Sequence, residues 1–271
     1  MTNGFDLDAY LARIGYTGPR SPTLATLQAL HALHPAAIPF EGIDPLLGRP
    51  VRLDPASLQA KLVGSRRGGY CFEQNSVLRA ALEALGFAVT GLGARVLWMA
   101  PPGAPEGPRT HMLLRVDLEE GPYMADVGFG AYLLAAPLRL ERGIEQPTLA
   151  GLLRLTGADQ SFTLQTRLPV GWRDLYRFTL ERQIAADYEM GNWYSSTHPN
   201  SRFIGNLLAE RLTPECRYAL FNTRLTTRHS GGGVEERILA SAEDLGDVLD
   251  RLFHITPPAD PAEIWARVPK G

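Results

Sequence analysis

Cysteine is scarce in this 271-residue chain: it occurs twice, too few for a disulfide framework, and no CxxC pair offers a metal or dithiol site. An excess of one charge is missing too. The formal net charge is −2, with acids and bases interspersed, which leaves no footprint for nucleic acid or an anionic membrane. No apolar run is long enough to span a bilayer. The opening Met1-Thr2-Asn3-Gly4-Phe5-Asp6 has neither the cationic start nor the apolar core of a secretory signal. Internal repeats and low-complexity tracts are absent. These absences together predict a reduced, cytoplasmic protein with no nucleic-acid or membrane partner.

What is present falls into three stretches, with boundaries near residues 86 and 190. The first, 1–86, reads as a helical bundle. Ser21-Pro22 supplies an N-cap and a first-turn proline ahead of Leu24, Leu27 and Leu30, a pattern expected to end before Pro35. Asp54-Pro55 repeats the device ahead of Leu58 and Leu62. From Cys71, Leu78, Leu82 and Leu85 recur at helical spacing, and Gly86 stands where a C-terminal cap belongs. The second stretch, 87–190, changes period. Met112, Leu114, Val116 and Leu118 fall on one face of a strand, and His111, Leu113, Arg115 and Asp117 on the other. Further strands around Tyr123–Val127, Ser161–Thr166 and Leu175–Leu180 suggest a continuing antiparallel sheet or barrel. In the third stretch, 191–271, Tyr218–Thr227 and Glu235–Leu239 read as strands joined through Gly231-Gly232-Gly233. Ser241 with Asp244 resembles a capping box before a C-terminal helix.

The chemistry concentrates at Arg66-Arg67-Gly68-Gly69-Tyr70-Cys71-Phe72-Glu73. Two glycines allow a sharp turn and a close approach of substrate, and the helix that follows aims free N–H groups at the thiol. A helix start, nearby cations and a histidinium all favour a thiolate. A buried structural cysteine is nevertheless the commoner fate of a lone Cys. Geometry adds His111 and Asp126. If Glu119-Glu120 is a two-residue hairpin turn, Leu118 pairs with Gly121 and Leu113 lies opposite Asp126. Asp126 is then a diagonal neighbour of His111 on the same face, within reach of an imidazole. A three-residue turn would put the two on opposite faces. His31, His34, His198, His229 and His254 read as structural or solvated. None forms a zinc-type set with a cysteine, so no metal is expected. Cys216, with no glycine turn or helix start, reads as inert, and His229 as lacking an acidic partner.

Taken together, Pro39-Phe40-Glu41, Arg67-Gly68-Gly69-Tyr70-Cys71-Phe72-Glu73 with Asn75, Thr110-His111, and Ala125-Asp126-Val127-Gly128-Phe129-Gly130 resemble the arylamine N-acetyltransferase family. Asn192-Trp193-Tyr194-Ser195-Ser196-Thr197, leading to Ser201 and Phe203, adds to the match. One departure is Gly42, where the family often has Asn. The resemblance implies an α+β fold: an N-terminal helical bundle, a central antiparallel β-barrel and a C-terminal α/β lid. It also implies a papain- or transglutaminase-like site with Cys71 as nucleophile, His111 as base and Asp126 as orienter. Thr110, Phe129, Tyr194 and Phe203 become candidates for contacts to acetyl-CoA or the acceptor. The implied reaction moves an acetyl group from acetyl-CoA to an arylamine, arylhydrazine or arylhydroxylamine through an acetyl-cysteine, in a monomer or homodimer. The rival on the same triad is a cysteine acyl hydrolase or amide synthase.

Overall fold

The computed structural model describes residues 4–101, 103–130 and 132–269. The chain begins with α1 (Leu7–Ile14) and α2 (Leu24–Ala37), then β1 (Phe40–Glu41), α3 (Ile43–Leu46), α4 (Pro55–Leu58) and α5 (Cys71–Ala84). Asp54 caps α4 through Ser57 N–H at 2.9 Å, with Pro55 in the first turn, as the sequence predicts. The helix continues as a wider π-type turn over Gln59–Gly64. Two expectations fail in α2. Its cap is Thr23, whose hydroxyl accepts from Thr26 N–H, and the helix runs through Pro35 to Ala37. Pro35 is tolerated because it lies in the last turn, where only one helical N–H is forfeited.

Eight strands then form one antiparallel sheet. They are β2 (Ala88–Val96), β3 (Arg109–Leu118), β4 (Gly121–Ala125), β5 (Leu138–Arg139), β6 (Glu145–Thr148), β7 (Gly151–Thr156), β8 (Ser161–Leu168) and β9 (Gly171–Thr179). Their spatial order is β5-β4-β3-β2-β9-β8-β7-β6. The sheet curls into a nearly closed barrel. Its two free edges meet where the Gln146 side chain bonds both the N–H (2.7 Å) and the C=O (3.0 Å) of Arg139.

The remaining elements are α6 (Ala185–Thr197), β10 (Leu208–Leu212), β11 (Cys216–Phe221), β12 (Arg224–His229), β13 (Val234–Ile238), α7 (Ala242–Arg251) and α8 (Pro261–Arg267). Tyr218–Thr227, expected as one strand, is a hairpin broken at Asn222, which has φ 54°. β1 pairs with β10 and makes the second sheet five-stranded, β1-β10-β11-β12-β13. The first third of the sequence is therefore hydrogen-bonded into the last. Met190 lies inside α6, so residue 190 falls within a helix. No helix among the described residues is long and apolar enough to cross a membrane.

Three cores hold these layers. β3 serves two of them, because successive side chains point to opposite faces. Met112, Leu114 and Val116 pack with Leu27, Leu30, Leu78 and Leu82 of the helices. Leu113 faces the barrel interior with Leu92, Leu155, Leu164 and Tyr176. The third core joins Leu220 and Leu225 to Leu245, Val248 and Leu249 of α7. Each fully buried leucine contributes about 1.5–3 kcal/mol.

Candidate active site

The site is assembled where α5 abuts the β3–β4 hairpin. Glu73 starts the helix by accepting from Tyr70 N–H at 3.1 Å, which leaves Cys71 as its first residue. The turn before it is compressed. A Cβ at Gly68 would lie 1.9 Å from the Pro39 carbonyl oxygen, so only glycine passes there. Buried charges hold this turn from below. Arg67 Nε donates to Glu41 at 2.7 Å, and Lys61 Nζ sits 2.6 Å from both Asp44 and Glu73. Burial opposes the Lys61 charge, yet Glu73, Glu41 and Asp44 outweigh it and raise its pKa. Five buried charges in one cluster are costly unless paired, and here each acid meets a cation.

The hairpin has the two-residue turn. Leu118 pairs with Gly121 and Leu114 with Ala125, a register that sets Leu113 opposite Asp126. His111 Nε2 then reaches Asp126 Oδ2 at 2.7 Å, the diagonal contact expected from the alternation of faces. Asp126 is fully buried and saturated. Tyr176 Oη donates to Oδ2 at 2.7 Å, while Asn75 Nδ2 and the Gly128 N–H donate to Oδ1, each at 2.9 Å. Its own N–H donates to His31 Nε2 at 3.1 Å. Charge-assisted bonds of this kind offset the several kcal/mol that a buried carboxylate costs.

The electrostatics follow from this packing. Burial disfavours the His111 imidazolium, but the Asp126 carboxylate and the adjoining Cys71 sulfur outweigh it and raise the pKa to about 10. Burial pushes the Asp126 carboxyl up, and His111, Asn75 and Gly128 more than reverse that, so it lies below its ordinary value. Nε2 is committed to Asp126, which leaves Nδ1 for the sulfur. The thiol also approaches the Thr110 carbonyl at 3.5 Å. Gly128 presses against this helix start. A Cβ there would stand 2.7 Å from Cys71 Cα.

Cys71 and His111 open on a cavity of about 310 Å3. Thr110, Phe129, Tyr194 and Phe203 line it as well. Asp126 stands behind His111, out of contact with solvent. The Phe129 ring meets His111 edge-on at 5.1 Å, and Phe203 packs edge-on against Tyr70 at 5.1 Å. All seven residues singled out in the sequence are thus at one place. Such a cavity admits a thin acyl chain or one aromatic ring, with a thiol and an imidazole at its floor.

The family model described as N-acetyltransferase matches residues 23–260. An arylamine N-acetyltransferase of Mycobacterium tuberculosis is 44% identical over 92% of this chain and 89% of its own length. The chain belongs to the arylamine N-acetyltransferase family. Among solved members of that family, the arylamine N-acetyltransferase of Mycolicibacterium smegmatis has TM-score 0.92 and 41% identity, covering 97% of this chain and 98% of its own. The Mycobacterium marinum arylamine N-acetyltransferase, solved in complex with CoA, has TM-score 0.92 and 39% identity, covering 97% of this chain and 98% of its own. The match includes the barrel-like sheet, and the chain is an acetyltransferase by membership.

Three neighbours of Asp126 were not singled out as site residues. Asn75 carried a signal, since it lies one helical turn after Cys71 and shares its face. Tyr176 and His31 carried none, because each is brought in by tertiary packing from a distant element. His229, expected to lack an acidic partner, has one. Glu235 Oε1 lies 3.1 Å from its Nε2, and Cys216 Sγ 3.4 Å from its Nδ1. The turn through Gly231–Gly233 brings that acid across from the next strand.

Proposed function

We propose that the protein transfers an acetyl group from acetyl-CoA to arylamines, arylhydrazines or arylhydroxylamines through an acetyl-Cys71 intermediate. The observation that carries this reading is the sulfur and imidazole at the floor of an aromatic-lined cavity, with the carboxylate bonded to the ring from behind. Cys71 loses its proton to Nδ1 of His111, and the thiolate attacks the thioester carbonyl of acetyl-CoA. CoA departs as the thiol, taking the proton from the imidazolium. An amine then enters the same cavity and attacks the new thioester, while His111 accepts its proton as the tetrahedral intermediate collapses. Asp126 fixes the tautomer and stabilises the charged ring. Low basicity leaves arylamines unprotonated, and hence nucleophilic, near neutral pH.

Thr110, Phe129, Tyr194 and Phe203 act in this scheme as walls for the pantetheine end of the donor and the ring of the acceptor. The first third carries the nucleophile and the barrel the other two members. The last third acts as a lid, with Phe203 over the cavity. Intact-mass measurement after incubation with acetyl-CoA tests the scheme. The expected result is a single acetyl adduct that persists, disappears on adding an arylamine and is absent from Cys71→Ala. An adduct that discharges at once without amine would make the protein an acyl hydrolase instead.

A further inference from the structure

The second sheet carries another thiol whose surroundings repeat the arrangement at Cys71. Cys216 pairs directly with His229, and Thr227, two residues before that histidine, pairs with Glu235. Alternate residues share a face, so Cys216, His229 and Glu235 lie on one side of the sheet, with Glu235 diagonal to His229. The side chains meet as this register requires. Cys216 Sγ is 3.4 Å from Nδ1 of His229, whose Nε2 is 3.1 Å from Glu235 Oε1. His111 and Asp126 have the same relation on a different pair of strands: a diagonal carboxylate takes Nε2 and leaves Nδ1 to a sulfur.

Access separates the two thiols. Cys71 is buried at the floor of its cavity, whereas Cys216 is half-buried and its partners reach solvent, His229 at 40% and Glu235 at 77% side-chain exposure. Cys216 also lies past Tyr218, whose ring packs on Phe253 at the end of the apolar core beneath α7. A sulfur that touches an imidazole and is open to solvent suits modification by a small molecule in solution.

We propose that Cys216 is a modification site: a histidine-activated surface thiol that forms mixed disulfides with low-molecular-weight disulfides. Cys216 gives its proton to Nδ1 of His229 while the Nε2–H stays on the Glu235 carboxylate. The thiolate attacks one sulfur of the disulfide, and a new S–S bond forms as the old one breaks. The departing thiolate takes the proton back from the imidazolium. The exchange consumes one thiol and one disulfide and yields one of each, so it needs no other oxidant. It is independent of acetyl transfer at Cys71.

Cys71→Ala leaves Cys216 as the only cysteine, because the chain has two. Its reaction with 5,5′-dithiobis(2-nitrobenzoic acid) at neutral pH is followed by the released thiolate. The further substitution His229→Gln should slow that reaction about tenfold, and Glu235→Gln should slow it less. Glutathione disulfide should add one glutathionyl group to Cys71→Ala and none to Cys71→Ala/Cys216→Ser. Equal rates with and without His229→Gln, or no glutathionyl adduct on Cys71→Ala, would overturn the proposal.

Discussion

Asp126 shows how much of a buried carboxylate's behaviour is set by residues around it. Its carboxylate receives four donors, from His111, Tyr176, Asn75 and Gly128, which come from separate parts of the chain. Asp126→Asn keeps the shape but can no longer hold the imidazole in its charged form, and kcat should fall about 10^4-fold in steady-state assays. The backbone N–H of Asp126 relies on His31, a residue that sequence reasoning set aside as structural. His31→Leu would bury that N–H unpaired and should cost about 1–3 kcal/mol in urea unfolding, while His31→Gln, which can still accept, should recover part of the loss. That Cys71, His111 and Asp126 come together was legible because a glycine turn before a helix start and strand alternation are local rules. Tyr176 was not, since β8 and β9 shift register between Leu164 and Gln165 and no local pattern reveals it.

Elements matter here chiefly by how closely they approach one another. The loop after β4 lies flat on the first turn of α5, and Gly128 is the contact. Gly128→Ala would force the loop off the helix at Cys71. We expect the rate of acetyl-adduct formation to drop by more than tenfold, with a stability loss of about 1–3 kcal/mol. Lys61 belongs to the same region from the opposite side. Lys61→Met should destabilise the protein by about 3–5 kcal/mol, read by urea unfolding, because Glu73 would remain buried without its cation and Asp44 would keep Arg67 alone. The sequence showed the capped starts of α4 and α7, since Asp54 and Ser241 announce themselves by type and position. It misplaced both ends of α2: Thr23 competes with Ser21 as cap, and proline near a C-terminus is no barrier. The acidic partner of His229 was hidden for a different reason, because it depends on which residues two strands set opposite each other across a glycine turn.

At the scale of the molecule, buried histidines make stability depend on pH in both directions. His111 titrates at about 10 in the fold, above its ordinary value near 6.5, so its stabilisation is complete below about 6.5 and is lost as pH rises toward 10. His31 and His34 behave oppositely. Burial lowers them to about 4 and about 3, so their contribution is present above about 6.5 and fades as pH falls toward those values. Urea midpoints measured across pH should therefore decline on both sides of a maximum near 6.5. The helical first third and the strand-rich middle were legible from period alone. The pairing of β1 with β10 was not, because a two-residue strand has no periodicity to read. A last consequence concerns the seam of the barrel, where the Gln146 amide imitates a missing peptide group. Deuterium should therefore enter at the Arg139 amide well before it reaches the ladder of β3, and trimming that single glutamine to alanine should leave a draughty joint through which the interior breathes.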